Sequence, residues 1–175
     1  VGSTELDGAT LSYGAESHGY SGPWDQIDEN VNKHNATLKL SGDVADGTGR
    51  MLLMAYDNTW NSPDQIPERA VDLGLISRFG SLDTSLGGSS SRYSLSAGYN
   101  RMLFGGIFDV SAYAIDYDLT LFSNFTYFLD EPDLGDQFSQ FDHRKIYGRA
   151  LSNVWSGQNA AGKQWKLRIG AEART

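Results

Sequence analysis

Apolar and polar residues alternate with period two through most of this chain, and the connections between the alternating runs are sorted by length. Successive side chains of a strand point to opposite faces, so this period argues for strands with one apolar face. From Ala9, the set Ala9, Leu11, Tyr13, Ala15 alternates with Thr10, Ser12, Gly14, Glu16. Ala36, Leu38, Leu40, Gly42, Val44 alternate with Asn35, Thr37, Lys39, Ser41, Asp43. Tyr93, Leu95, Ala97, Tyr99 oppose Arg92, Ser94, Ser96, Gly98, Asn100. Tyr113, Ile115, Tyr117, Leu119, Leu121 oppose Ala112, Ala114, Asp116, Asp118, Thr120. Trp165, Leu167, Ile169, Ala171, Ala173 oppose Gln164, Lys166, Arg168, Gly170, Glu172. Weaker alternation covers Arg50 to Trp60 and Arg144 to Trp155, and Val1 to Leu6 reads as the tail of a further strand. The expectation is an all-β, antiparallel up-and-down meander of about 7–8 strands.

The connections run short, long, short, long, short, long, short. Short turns fall at Asp7-Gly8, at Asp46-Gly47-Thr48-Gly49 with glycine where φ must be positive, at Arg101 to Gly105 and at Gln158 to Gly162. Long segments cover residues 17–34, 61–90 and 123–141. Consecutive antiparallel strands therefore carry every short turn at one end and every long loop at the other. Transmembrane β-barrels are built this way, with strands apolar outside and polar inside. A polar face carrying Thr10, Glu16, Lys39, Asp43, Arg92, Asp116, Asp118, Lys166, Arg168 and Glu172 makes a poor dry core and a good wet lumen. Tyr13, Trp60, Tyr93, Tyr99, Trp155 and Trp165 lie near strand ends, where interfacial girdles sit. A soluble all-β domain with one solvated face shares the alternation. On the barrel reading, Leu38, Leu40, Leu95, Ile115, Leu167 and Ile169 share one sheet face, and Thr37, Lys39, Lys166 and Arg168 the other.

Composition narrows the function. With 14 basic and 22 acidic residues, net −8, the chain lacks the basic surface that nucleic acids require. Its longest apolar run, Met51 to Tyr56, falls far short of the ~20 residues of a membrane helix. Without cysteine there is no disulfide, zinc ribbon or thiol nucleophile. No basic-then-apolar leader precedes the first strand, so a targeting segment is expected to have been removed or not included. His18, His34 and His143 share no metal-ligand spacing and read as surface residues. The acidic groups Asp25/Asp28/Glu29 and Asp130/Glu131/Asp133/Asp136 lack the order of a calcium loop and read as solvated loops. Nucleophile-elbow, zinc-protease, P-loop and dinucleotide motifs are absent. Asn35-Ala36-Thr37 and Asn124-Phe125-Thr126 match the glycosylation pattern and are discounted, the first because it falls in a strand. No catalytic, cofactor or metal residue is assigned, and the chain is not expected to be an enzyme.

The middle of the chain carries a resemblance. The run Met54-Ala55-Tyr56-Asp57-Asn58-Thr59-Trp60-Asn61-Ser62-Pro63-Asp64-Gln65-Ile66-Pro67-Glu68-Arg69-Ala70-Val71 resembles a stretch of TonB-dependent outer-membrane receptors. So do Leu75 to Ser81, Gly87-Gly88 through Ser96, the block Ser111 to Leu129, Asp136-Gln137-Phe138, and Asp142 to Gly148. The resemblance implies a twenty-two-stranded barrel in the bacterial outer membrane, filled by a plug. It also implies import of a scarce solute such as a siderophore-like metal chelate, driven by an inner-membrane TonB-type transducer through an N-terminal box. This chain has room for neither plug nor box and about a third of the wall, and Ala173-Arg174-Thr175 lacks the family's terminal aromatic. The whole chain, residues 1–175, therefore reads as a single segment of a larger transmembrane β-barrel. Its expected partners are outer-membrane lipid, the small solute and the transducer. The alternatives are a soluble all-β carbohydrate-binding module and a small complete eight-stranded outer-membrane barrel.

Candidate ligand contacts are the aromatics of the long-loop end: Trp24, Trp60, Phe125, Tyr127 and Phe128. Ser62, Pro63 and Asp64 supply a cap, a first-turn proline and an early acid, which predict a short loop helix within 62–72.

Overall fold

The computed structural model describes residues 1–175. Eight strands form one antiparallel sheet in chain order: β1 (Gly2–Leu6), β2 (Ala9–Tyr20), β3 (Val31–Val44), β4 (Gly47–Asn61), β5 (Gly87–Leu103), β6 (Gly106–Ser123), β7 (Phe138–Gln158) and β8 (Gln164–Arg174). The up-and-down meander is thus as expected, with the N-terminal run forming a five-residue β1. The sheet is open: β1 pairs with β2 alone and β8 with β7 alone. No helix is long and apolar enough to cross a membrane. The one helix, α1 (Glu68–Asp72), starts at Pro67 without a side-chain cap, so Ser62 and Pro63 lie before it.

Two-residue turns set the register. Between β3 and β4 the turn is Ala45-Asp46, with φ of 46° and 63°, the primed type that matches strand twist. The glycines thought to supply the positive φ belong instead to β4. Gly47 is needed for close approach, since a Cβ there would lie 2.3 Å from the Asn100 carbonyl and 2.7 Å from the Tyr99 hydroxyl. The Tyr99 hydroxyl then donates to the Ala45 carbonyl at 2.7 Å and pins the turn. Phe104-Gly105, both at positive φ, join β5 to β6 in the same way.

Directly opposed residues share a face, so the pairing sorts the side chains. One rung runs Leu38, Leu53, Leu95, Ala114, Tyr147, and another Leu40, Met51, Ala97, Ala112, Arg149, Ala173. Leu167 and Ile169 lie on this apolar face, while Thr37, Lys39, Lys166 and Arg168 lie on the other. Ile115 does not follow the expectation. The Phe104-Gly105 turn pairs Leu95 with Ala114, which sends Tyr113, Ile115 and Tyr117 to the polar face. Asp116 and Asp118 correspondingly lie on the apolar side, toward the long loops. Across the ladder Lys145 lies 3.8 Å from Asp116, and the His143 ring nitrogen lies 2.6 Å from the Asp118 carboxylate. Both residue sets of β6 contain apolar members, so alternation alone could not choose between its faces.

No second layer covers either face. Ten of 175 residues are buried, and Leu86, beneath the long loops, is the one large apolar side chain among them. Leu38, Leu53 and Leu95 remain 42–43% exposed in the middle of the apolar face. Because an L-residue in the left-handed region costs ~1–2 kcal/mol, Ala45→Asn combined with Asp46→Gly should stabilise the β3–β4 turn by about 1 kcal/mol. Gly47→Val should destabilise it by more than that gain. Denaturant titration of the refolded variants checks both signs.

Candidate functional site

The segments 21–30, 62–86 and 124–137 gather at one end of the sheet and bind one another through short polar side chains, which compete well for backbone groups in turns. Segment 21–30 joins 62–86 by three hydrogen bonds. The Asp25 amide donates to the Phe79 carbonyl at 3.0 Å, the Ser81 amide to Gln26 Oε1 at 2.7 Å, and the Ser77 hydroxyl to the Asp25 carboxylate. The Asn61 amide and side chain bind the Glu29 and Asp28 carbonyls at 2.6 and 2.7 Å.

The junction of 62–86 with 124–137 is built on two carboxylates. Asp64 accepts from the Ser123 hydroxyl at 3.1 Å, and Asp83 from Asn124 Nδ2 at 3.4 Å and Gln137 Nε2 at 3.2 Å. Desolvation pushes the Asp83 carboxyl up, but donors from Ser85, Asn124 and Gln137 outweigh it and hold the group below the usual carboxylate range. Desolvation, with Asp64 and Asp83 nearby, raises the Tyr127 phenol. In the last loop Asp136 accepts the amides of Leu129, Asp130 and Glu131 at 2.9, 3.1 and 2.7 Å. Desolvation again opposes ionisation, and the Thr126 hydroxyl and these amides reverse it, so the Asp136 carboxyl is lowered. The acidic run therefore serves its own loop backbone, and no three His, Asp or Glu side chains converge as metal ligands.

The five aromatic candidates do not form one surface. Trp24 packs edge-on against Phe79, with ring centroids 6.3 Å apart, and its buried Nε1 has no acceptor. Trp60 is the penultimate residue of β4, on the polar face, its ring 3.1 Å from where a Gly88 Cβ would stand. Phe125 leans on Phe138 at 5.4 Å and stays 60% exposed. Tyr127, at φ 61°, donates its hydroxyl to the Gln65 carbonyl at 2.6 Å and acts as a loop tie. Phe128 is 61% exposed and free to touch a ligand. Sequence reading missed the Asp64 and Asp83 junction because its partners stand 41 to 60 residues apart.

The fold and loop geometry define an all-β, up-and-down sheet with one apolar and one polar face and a structured loop cap. Comparison with protein-family models, curated proteins and solved structures finds no match.

A carboxylate whose folded pKa is lowered contributes stability above its unfolded pKa of ~3.9, and that stability disappears as pH falls through the folded value. Acidification from pH 5 to ~3 should therefore loosen 62–86 and 124–137 while the ladder persists. Acid-protease cleavage confined to these segments is the expected result. Asp136→Asn should expose 124–137 already at neutral pH and flatten the acid response.

Proposed function

We propose that this chain is wall and loop cap of a transmembrane β-barrel in the bacterial outer membrane. In this reading it belongs to a TonB-dependent receptor that imports a scarce solute such as a metal chelate and carries out no bond chemistry. The observation that carries the reading is the path of the apolar band across the sheet. On β3 the band covers Ala36–Val44, centred on Leu40, and on β4 residues 47–55, centred on Met51, Leu40's ladder partner. On β7 it covers Tyr147–Trp155, centred on Leu151, two residues beyond the rung that contains Leu40.

Hydrogen bonds run perpendicular to the strands, whereas a bilayer is perpendicular to the barrel axis. Strands that tilt must therefore carry an apolar band that slips along the ladder. A slip of two residues at ~3.4 Å over four strand spacings of ~4.8 Å corresponds to roughly 20°, the kind of oblique path that the ~35–45° strand tilt of membrane barrels requires. A soluble sheet packed on a second layer has no reason to slip its band, and this sheet has no buried core under its apolar face. Two residues of β7 interrupt the band: Asn153, whose side-chain amide donates to the Leu103 carbonyl at 3.3 Å, and Arg149, between Ala112 and Ala173. Arg149 stands on the long-loop side of Leu151, and its stem can carry the guanidinium toward the headgroups. The family reading is supported further by the sequence blocks named above and by three long loops at one end against connections of two to five residues at the other.

Leu151→Arg should cost about 2–4 kcal/mol of folding stability in lipid, as at a bilayer midplane. Lys166→Leu, on the polar face, should be far milder. Refolding of the full-length protein into vesicles measures both, and the opposite order would reverse the assignment of faces. A detergent-dependent species whose gel mobility shifts on boiling is the expected behaviour of the whole protein. A monodisperse monomer in plain buffer overturns the membrane reading in favour of a soluble module.

A further inference from the structure

The polar face of β5–β8 gathers three arginines around tyrosine rings. Arg92 on β5 stands directly opposite Tyr117 on β6, and Tyr117 directly opposite Arg144 on β7. The Arg144 guanidinium lies over the Tyr117 ring, 5.3 Å from its centroid. One rung toward the short turns, Ile115 meets Ile146, and one further, Tyr113 meets Gly148, which meets Arg174 on β8. A Cβ on Gly148 would stand 2.2 Å from the Tyr113 ring, so glycine lets that ring lie across β7 on the side of Arg174. These seven residues other than Gly148 line an open recess of about 380 Å³.

No carboxylate lines this recess, although the chain carries a net charge of −8. Of the molecule's ion pairs only Arg144–Asp142 touches it, and Arg92 and Arg174 take part in none. Elsewhere on the same face Arg50 binds Asp109 at 3.3 Å, Lys33 binds Glu16 at 3.1 Å and Arg168 binds the Ser152 hydroxyl at 3.1 Å, while Lys39 and Lys166 stand alone, away from any aromatic floor. Two unpaired guanidiniums, preset forks for carboxylate or phosphate oxygens, thus flank a floor of ring faces and isoleucine side chains. Neither charge alone nor apolar contact alone matches such a surface.

We propose that this recess binds a small solute carrying two or more carboxylate or phosphate groups on a flat, apolar body. The anionic groups engage Arg92 and Arg174, and the body lies on Tyr117, Ile115 and Tyr113. Arg144, held by Asp142 and stacked on Tyr117, positions that ring and adds positive potential. The inference deepens the receptor reading by naming its solute class, yet the recess is defined by ladder register within four paired strands.

The test is binding of benzene-1,3,5-tricarboxylate, a planar trianion, to the full-length protein in detergent, measured by calorimetry beside its neutral triamide. The trianion should bind in a salt-sensitive manner and the triamide should not. Arg92→Gln and Arg174→Gln should each weaken binding about tenfold, the scale of a lost charged hydrogen bond. Together they should weaken it about a hundredfold. Arg92→Lys and Arg174→Lys, which keep the charge without the fork, should fall between, and Arg78→Gln in the loops should change nothing. Equal binding of the triamide, or undiminished affinity in the folded double variant, overturns the proposal. Gel mobility before and after boiling, read on the same samples, reports the barrel separately, so either idea can fail alone.

Discussion

The backbone ladder is the constraint on which this molecule depends. Of 110 backbone hydrogen bonds, 93 lie within its helix and strands, whereas only ten residues are buried. Cohesion therefore comes from strand pairing, and register is the quantity that must be right. A slip of one residue would exchange every apolar side chain for its polar neighbour. The two-residue turns prevent that slip, because Ala45-Asp46 and Phe104-Gly105 leave each hairpin one way to close. Tyr99 reinforces the first by crossing Gly47 to reach the Ala45 carbonyl.

What could be read from the sequence follows from that dependence. Where one residue set of a strand was apolar and the other polar, as in Leu38/Lys39 or Leu167/Arg168, alternation assigned the faces correctly. Where both sets had apolar members, as in Ile115 against Ala114, the decision belonged to the turn upstream and to pairing with Leu95. The β3–β4 turn was misplaced by two residues for a related reason. Glycine marks positive φ and close approach alike, and at Gly47 it is the Asn100 carbonyl that demands it. The long loops were visible as loops, but the ties through Asp64, Asp83 and Tyr127 depend on contacts between residues 41 to 62 positions apart.

The two faces divide the work of the sheet. The apolar face is half exposed and shaped by its oblique band, with charged residues such as Asp116 and Lys145 toward the long loops. The polar face is particular. Arg50 reaches across to Asp109 over Gly98, and Tyr113 lies over Gly148. Glycine on this face opens lateral room that long side chains from neighbouring strands occupy, so its relief is written by where side chains are missing.

Pairing between strands adjacent in the chain also governs how the structure can be reached. Each hairpin needs contacts only with its immediate predecessor, and closing a two-residue turn orders far less chain than joining strands distant in sequence. β3–β4 and β5–β6 can therefore start at their tight turns and zip outward, in the microsecond range of isolated hairpins. The steps that must wait span residues 62–86 and 124–137, where a wide loop has to close before β5 meets β4 or β7 meets β6. Assembly of the sheet then becomes the stitching of preformed hairpins, and the loop cap at its far end is the last element to acquire its shape.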